Sequence, residues 1–458
     1  MGRNPSSRKG ELNMAEKNIA VIGAGIGGMA AAYDLSRAGH HVTIYEGSGG
    51  VGGLAAGFKE PHWDWSVERY YHHWFASDRY MLGLIDELGW QGQVIFPRPV
   101  TVMYHQGRFY PFDSMFSNIP LFLLRHYPLI DTARFGLVGA YLRLSGNWKS
   151  LEGYTAESWM RRWAGDRVYE AMWEPMLMGK FGDQYAHDVN MAWLWARLHS
   201  RTTRLGTFQG GFQAFSDKLA DRLRQMGVEI RLSTPIARIS TGAPGAGGLA
   251  IDAAGQAGGH FDQCLVTVSP GQLAQLAPDL PGSYLQGLLA LKHMGAVVLI
   301  LALKHQLSEE GYYWFNVPKA AGFPFLSLVE HTNYISPQHF GGDHIVYIGD
   351  YLNTDHPYFS LSKEELLQTF IPKLTFFNPK FQPEWIRASW LNRTTYAQPI
   401  PLLHHSQNIP DIRTPIQGLY FASMSQVYPW DRGTNFAVEI ARRAARMMLA
   451  SMGSSSQG

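Results

Sequence analysis

The chain has 458 residues, and its 39 Lys and Arg against 37 Asp and Glu give a formal net charge of +2. This length excludes a small disulfide-stapled scaffold and allows two or three domains at about 150 residues each. Charged residues are 17% and aromatic residues 13%, with 48 glycines, so the composition favours a large apolar core over a basic nucleic-acid surface.

The cysteine content and the apolar runs bear on the cellular compartment. Cys264 has no second cysteine to pair with, so nothing requires an oxidising environment and a cytoplasmic protein is expected. The most apolar run, Met294 to Leu303, has half of the ~20 residues that a membrane-spanning helix needs. Residues 1–13 are expected to be a disordered or artificially appended extension before a start at Met14.

The first predicted elements are a strand, a glycine turn and a helix in immediate succession. Asn18 to Ile22 is a short β-branched run, and the helix extends to Ala38. Gly39 predicts the helix end, and 41–45 predict the next strand, which leads to Glu46. The turn consists of Gly23, Ala24, Gly25, Ile26, Gly27 and Gly28.

The glycines of this turn have physical reasons in a dinucleotide site. Gly23 permits the tight turn, Gly25 lets a pyrophosphate approach the backbone, and Gly28 lets the helix pack close to the strand. Glu46 is placed to accept hydrogen bonds from ribose hydroxyls and would repel the 2′-phosphate of NADP. The pattern predicts a Rossmann-like unit; the alternative is a glycine-rich turn with an ordinary surface glutamate.

A second glycine pair, Gly52 and Gly53 followed by Leu54, lies six residues beyond Glu46, where a nicotinamide site has no evident need for it. The stretch VIGAGIGGMAAAYDLSRAGHHVTIYEGSGGVGGLAAGF, residues 21–58, resembles the FAD-binding signature of the flavin amine-oxidase superfamily. That superfamily includes protoporphyrinogen oxidases, phytoene desaturases and, more remotely, UDP-galactopyranose mutases. The resemblance implies FAD as the cofactor.

The C-terminal part of the chain resembles the strand and helix that close the FAD site in this superfamily. Residues 418–423 predict the strand, and 436–448 predict a one-sided apolar helix that Thr434 or Asn435 is placed to cap. The positive end of the helix would stabilise a reduced, anionic flavin. Ser423 and Met424 depart from the usual Gly and acid of the family. The resemblance implies cofactor contacts at Ser423, Gly433, Thr434 and Asn435, and an adenine contact near Ile236.

The middle of the chain predicts further elements. A turn at 208–212 leads into a helix through Leu223, the runs 228–232 and 237–240 predict a hairpin, 242–259 a hairpin loop, and 262–269 a buried strand. We expect an α/β protein with two interleaved domains. The first is an FAD-binding domain of the glutathione-reductase type at 14–69, 205–290 and 396–450, and the second a mixed α+β substrate-binding domain at 70–204 and 291–395.

The segment 67–75 supplies the first candidate site residues. In the superfamily this segment passes beside the flavin ring, and the mutases place a histidine there, so the resemblance implies substrate contacts at Tyr71 and His72 and a catalytic role for His73. If the segment is a strand, at most one of the two histidines meets the flavin, and the pair would be a poor metal chelate. The alternative is a packed aromatic segment, and no metal site is expected.

The segment before the closing helix supplies Trp430 as a substrate-binding candidate and Arg432 as a catalytic one. Gly433 stands where amine oxidases carry a ring of their aromatic cage, so amine oxidation is the less favoured reaction. Arg432 would neutralise a substrate anion or the flavin; the alternative is a salt bridge to Asp431 or Glu439.

Cationic residues of the predicted substrate domain complete the candidates. Lys180 resembles the lysine that serves some relatives through a bound water, and Arg197, with Arg201 and Arg204 on one helical face, suits an anionic headgroup. Solvated side chains are the alternative for all four. Residues 115–144 predict an amphipathic cap over the cavity or, as the alternative, a peripheral contact with the inner face of a membrane.

The leading function is that of an FAD-dependent oxidoreductase similar to protoporphyrinogen oxidase or a desaturase. A hydride passes from a C–H of a largely apolar substrate, in C–C or C–N dehydrogenation, to flavin N5, and oxygen or a quinone is the electron acceptor. The alternative is a redox-neutral flavin isomerase of a sugar nucleotide, similar to UDP-galactopyranose mutase, which the segments 72–75 and 104–112 favour. A non-enzymatic flavin-binding protein is a third hypothesis. The expected partners are an apolar or amphipathic small molecule and the acceptor, not nucleic acid.

Overall fold

The computed structural model describes residues 16–113, 118–200, 202–242, 247–255 and 258–454. The predicted extension, residues 1–13, and Arg201 lie outside these ranges.

A five-stranded parallel sheet is assembled from distant parts of the chain. Ile19, Ala20 and Val21 of its central strand are fully buried. Three helices cover one face of the sheet, and a small antiparallel sheet with two further helices covers the other. The predicted strands at 18–22, 41–45, 262–269 and 418–423 are confirmed. In spatial order the strands are Glu229–Arg231, His41–Tyr45, Asn18–Ile22, Gln263–Val266 and Leu419–Phe421.

Three long helices, Ile26–Arg37, Phe212–Gln225 and Thr434–Ser454, share one apolar cluster with this sheet. The first and last of them pack directly on each other. A Cβ at Gly27 would lie 2.9 Å from the carbonyl oxygen of Ala437, so glycine is what allows this approach. Gly39, with φ of +88°, follows the first helix as predicted.

The predicted hairpin between 228–232 and 237–240 is wrong. Glu229–Arg231 pairs in parallel with His41–Tyr45, whereas Ile236–Thr241 pairs antiparallel with Leu249–Ala253, which also pairs with Gly259–Phe261. The predicted loop 242–259 therefore contains a strand. Its alternation of buried and more exposed residues is a strand pattern, concealed by the glycines and alanines around it.

A seven-stranded mixed sheet forms the second layer. Its neighbours are antiparallel except for the parallel pair Trp314–Asn316 and Thr101–His105. The predicted strands at 296–303 and 344–348 are confirmed, and both extend further. In spatial order the strands are Ile386–Pro399, His293–Leu303, His344–Leu352, Ser327–Glu330, Trp314–Asn316, Thr101–His105 and Arg108–Pro111.

The segment 70–200 is mainly helical, as expected. Its longer helices are Arg79–Glu87, Asn118–His126, Leu129–Leu144, Ala156–Ala164, Glu174–Tyr185 and Met191–Ser200. The remaining longer helices are Pro270–Leu276, Gly282–Ala290 and Lys363–Phe370, and the short strands are Gly57–Phe58, Val67–Glu68, Trp74–Phe75, Val94–Ile95 and Leu205–Phe208. The fold class, α/β with a mixed second layer, is confirmed; the domain boundaries stay a prediction.

Candidate active site

The glycine turn lies where the central strand of the parallel sheet ends and the first helix begins. Gly23 has φ of +104°, and a Cβ there would lie 2.7 Å from Oγ1 of Thr267. A Cβ at Gly28 would lie only 2.1 Å from the carbonyl oxygen of Gly23, so the helix start packs directly on the turn. At Gly25 the nearest atom to a Cβ would be Cα of Gly53 at 3.9 Å, which leaves the backbone open to a ligand.

The second glycine pair packs against the first turn. The N–H of Gly52 donates to the carbonyl oxygen of Ala24 at 2.9 Å, and a Cβ at Gly53 would lie 3.1 Å from Cα of Gly25. Gly52, Gly53 and Leu54 all line the same cavity as Gly25. Two glycine-rich backbone segments thus form one continuous wall.

Glu46 connects the second strand to both glycine segments. One carboxylate oxygen accepts the N–H of Ala24 at 2.8 Å, and the other accepts the N–H and the hydroxyl of Ser48, each at 2.8 Å. These contacts fix the glycine turn. Since Glu46 also lines the cavity and each carboxylate oxygen can accept more than one hydrogen bond, it stays a candidate for ribose hydroxyls.

The N-terminus of the last helix faces the same cavity through Gly433, Thr434 and Asn435. The side chains of Thr434 and Asn435 were predicted to cap this helix, but they accept hydrogen bonds from another segment instead. Oγ1 of Thr434 accepts the indole N–H of Trp74 at 2.9 Å, and Oδ1 of Asn435 accepts the N–H groups of Tyr80 and Met81. Both side chains therefore connect the last helix to the segment 74–81, which leads into the helix at 79–87.

A cavity of about 2230 Å³ extends from the glycine turn to the seven-stranded sheet and the helices at 118–200. Ser423 lines it, and its own N–H is held by Oε1 of Gln426 at 2.7 Å. Among the cofactor candidates that the structure describes, Ala24 and Ile236 are not part of the wall. Ala24 contributes instead through its backbone contacts with Glu46 and Gly52.

Asp431 is the centre of a charged cluster in the cavity wall. Its Oδ2 accepts from Nη1 of Arg197 at 2.5 Å and from Nζ of Lys180 at 3.2 Å. Its Oδ1 accepts the indole N–H of Trp193 at 3.2 Å and the backbone N–H of Arg432 at 3.1 Å. We call Lys180, Arg197, Asp431 and Arg432 the Asp431 cluster. It brings together three of the predicted site residues around one that was considered only as a salt-bridge partner.

The charges of this cluster shift its pKa values. Burial of Lys180, which is 7% exposed, lowers the pKa of its amine well below the usual value, and the two arginines lower it further. Burial alone would raise the pKa of Asp431, but Lys180, Arg197 and Arg432 together hold that pKa below its usual range. Asp431 is therefore ionised, and its three cationic partners outnumber it.

Arg432 does not form the side-chain salt bridges considered for it. Its guanidinium donates to the hydroxyl of Tyr351 and lies over that ring, 5.0 Å from the centroid. Glu439 lies instead 3.8 Å from Arg443, one helical turn away. Since Arg432 and Tyr351 both line the cavity, the guanidinium is available to an anionic ligand there.

Tyr71, His72 and His73 all line the cavity, and the expectation that at most one of the two histidines meets the flavin stays a prediction. The three residues precede the short strand Trp74–Phe75 and are not in strand geometry themselves. Nδ1 of His72 donates to the carbonyl oxygen of Tyr70 at 2.5 Å. Burial, together with the charge of Arg432, lowers the pKa of His72 to about 4, so this histidine is neutral at neutral pH.

Two further candidates lie away from the cavity wall. The ring of Trp430 stacks on Phe436 at 5.5 Å between centroids and packs against Trp195, behind the Asp431 cluster. Because the helix Met191–Ser200 ends before Arg204, that arginine does not share a helical face with Arg197, and its side chain is exposed. Trp430 therefore lies behind the cavity wall, and a substrate contact at this residue stays a prediction.

The residues present fit a dinucleotide. The open approach at Gly25, the second glycine wall and the positive end of the last helix would hold a diphosphate and a flavin ring. In the described ranges no group of three or more His, Cys, Asp or Glu is placed to hold a metal ion.

Comparison with known proteins gives one family and several similar folds. The family model described as flavin containing amine oxidoreductase matches residues 26–449. An L-amino-acid oxidase of Gloydius halys is 45% identical over 49 residues, which is 11% of this chain and 10% of that protein's length.

The solved structures that are similar over nearly the whole chain include the following two. A protein from Exiguobacterium sp. 255-15, provisionally named a protoporphyrinogen oxidase, is 20% identical with a TM-score of 0.74, covering 96% of this chain and 100% of that one. Reduced UDP-galactopyranose mutase is 15% identical with a TM-score of 0.73, covering 95% and 94%. At these identities the likeness establishes the fold alone.

Proposed function

Because this chain belongs to the flavin-containing amine oxidoreductase family, we propose a function that starts from a flavin-dependent oxidoreductase with FAD as its cofactor. The protein dehydrogenates a largely apolar substrate that bears an anionic group. Bound FAD would supply the two-electron acceptor for a substrate hydride, with oxygen or a quinone as the final acceptor. The substrate class, as in a protoporphyrinogen oxidase or a desaturase, is the proposal.

One observation supports an apolar substrate with an anionic group above other substrate classes. The cavity that begins at the glycine turn has a mainly apolar wall that contains the Asp431 cluster. The amphipathic substrate would lie against the apolar side chains, while Arg197 and Arg432 neutralise its anion. The apolar residues of the wall include Met103, Phe112, Leu123, Phe135, Met172, Trp173 and Met176.

The protein residues have separate tasks in this proposal. The wall excludes water, and Tyr71 and His72 position the substrate beside His73. Burial lowers the pKa of Lys180, so its amine gives up a proton more readily than an ordinary lysine. In its deprotonated form it can accept at Nζ the proton that the substrate loses together with the hydride. Trp430 keeps the Asp431 cluster in place through Trp195 and Phe436.

A second candidate function, a redox-neutral isomerase of a sugar nucleotide, is favoured by the same cluster. Three cations around one carboxylate suit a diphosphate as well as a carboxylate. This alternative predicts that the protein consumes no oxygen during turnover.

Anaerobic mixing of the purified yellow protein with candidate substrates tests the two functions. Loss of the flavin band near ~450 nm with an apolar carboxylate, but not with its neutral ester, would support dehydrogenation of an amphipathic anion. Turnover of a sugar nucleotide only after reduction with dithionite would support the isomerase and refute the proposal.

A cytoplasmic location and the absence of nucleic-acid partners stay predictions.

A further inference from the structure

Two consecutive helices, Asn118–His126 and Leu129–Leu144, present an apolar face to solvent. Seven of their large apolar side chains are between 48% and 83% exposed. In the rest of the described chain only six large apolar side chains are exposed, by 37% to 62%. The seven, which we call the exposed leucine face, are Leu121, Leu124, Leu129, Ile130, Leu137, Tyr141 and Leu144.

The second helix is apolar on both of its sides. Leu129, Leu137 and Leu144 are exposed at helical spacing, while Phe135 and Leu142 are buried on the opposite side. A surface helix of a soluble domain normally carries polar residues on its outer side. The outer side of this helix is therefore built to contact something apolar.

The charges next to the exposed leucine face are positive. Arg125 is exposed on the first helix, and Arg143 on the second is exposed although its guanidinium also donates to the carbonyl oxygens of Leu198 and His199. Asp131, the only carboxylate of residues 118–144, is 5% exposed and pairs with Arg167 at 3.1 Å. An apolar face bordered by arginines suits a surface that is apolar inside and anionic at its rim.

The same helices form part of the cavity wall. Leu123 and Phe135 line the cavity from their buried sides, while Gly136, Ala140 and Leu144 line it and are also exposed. A Cβ added at Gly136 would meet no neighbouring segment within 4 Å, so the surface is open at this point. The cavity wall thus reaches the exposed leucine face.

We propose that the exposed leucine face binds peripherally to a bilayer that contains anionic lipids, with the arginines at the level of the headgroups. The longer helix has 16 residues, about 24 Å at 1.5 Å per residue, and would lie along the surface. Of the helices that the structure describes, none is long and apolar enough to cross a membrane. A two-fold dimer through this face would bring the arginines of both copies together, which disfavours a second copy as the occupant.

If the proposed function is correct, an apolar substrate can pass from the bilayer to the cavity beside Gly136 and Ala140 without crossing water. The membrane contact itself does not depend on the substrate, because it is carried by exposure and charge alone.

Flotation of the FAD-loaded protein with phosphatidylcholine vesicles, with and without phosphatidylglycerol, tests the proposal. We expect binding to the anionic vesicles that weakens as salt is raised. The variant Leu129→Ser/Leu137→Ser should lower the partition coefficient about tenfold or more, because two leucines no longer enter the apolar layer.

The matched control is Leu289→Ser/Phe376→Ser, which removes two side chains that are 62% and 54% exposed elsewhere on the protein. It should leave vesicle binding unchanged, and both variants should keep the flavin content and melting temperature of the wild type. Failure of the wild type to float would overturn the proposal, as would equal losses in the two variants. A wild-type dimer that Leu129→Ser/Leu137→Ser converts to monomer, without vesicle binding, would assign the face to a second copy instead.

Discussion

Replacing Asp431 by Asn removes the carboxylate that the three cations of the Asp431 cluster share. The amide keeps the shape of the side chain but leaves Lys180 and Arg197, now 3.2 Å and 2.5 Å from a neutral atom, without their counter-charge. Breaking a buried ion pair in this way costs about 3–5 kcal/mol. Because the Asp431 side chain is 22% exposed to the cavity, we expect the lower end, about 3 kcal/mol of unfolding free energy.

The loss should depend on pH in a direction that identifies Lys180. Without Asp431 the pKa of the buried Lys180 amine falls further below its usual value. Folding therefore releases a proton from this amine over a wider range of pH. Stability of Asp431→Asn should therefore rise with pH, by up to about 1.4 kcal/mol per unit, until the unfolded lysine also loses its proton. In the wild type, the low pKa of Asp431 means that its stabilisation is complete above about pH 4 and is lost only as pH falls further.

Urea unfolding of the holoprotein, followed by tryptophan fluorescence at about pH 6, 7.5 and 9, measures both effects. The double variant Lys180→Met/Asp431→Asn is the control, since it removes the titrating amine and should lose the pH slope while regaining stability at the lowest pH. A stability of Asp431→Asn within about 1 kcal/mol of the wild type, with the same pH slope, would refute the view that this carboxylate neutralises the cluster.

Four further outcomes are expected. Gly28→Ala should destabilise even the apoprotein by about 2 kcal/mol or more, because its Cβ meets a backbone oxygen at 2.1 Å, as thermal unfolding would measure. Gly25→Ala should keep the apoprotein stable but weaken FAD binding in a fluorescence titration, because its Cβ enters only the open approach. Burial raises the pKa of Glu68, which is 2% exposed, to about 7, so wild-type stability should fall by up to about 3 kcal/mol as pH rises from about 4.5 through 7, and Glu68→Gln should lack this fall in urea titrations. Arg432→Gln and His73→Ala should keep full flavin content, and anaerobic stopped-flow should show flavin reduction by an apolar anion slowed about tenfold or more.

Each of these outcomes has a contrary result. Equal effects of Gly25→Ala and Gly28→Ala on apoprotein stability would contradict the distinction between the open and the packed glycine. A parallel pH dependence in the wild type and Glu68→Gln would show that another group titrates. Unchanged reduction rates would remove Arg432 and His73 from the site.

The cofactor end of the molecule follows from the sequence because its determinants are local. The glycines at 23, 25 and 28 and the acid at Glu46 act within one strand, turn and helix, where spacing and backbone sterics decide the structure. The same reasoning found the start of the last helix, although it assigned Thr434 and Asn435 to capping rather than to contacts with a distant segment.

The Asp431 cluster was harder to predict because its contacts join distant segments. Asp431 meets Lys180 and Arg197 across more than 230 residues of sequence, and no local pattern marks such a meeting. The strand Leu249–Ala253 was missed for a different reason. Its residues alternate between buried and more exposed positions as in a strand, but the glycines and alanines around it match the composition of a loop.

The contact between Gly27 and Ala437 has a consequence for biosynthesis. These residues are 410 positions apart, and translation at about 5–20 residues per second separates their emergence from the ribosome by roughly 20–80 s. During that interval the apolar side of the first helix lacks the helix that covers it, and the sheet lacks its final strand, Leu419–Phe421. The glycine turn is thus made well before the strand and helix that complete the enclosure around it, so FAD is retained only after residues 419–454 have been made.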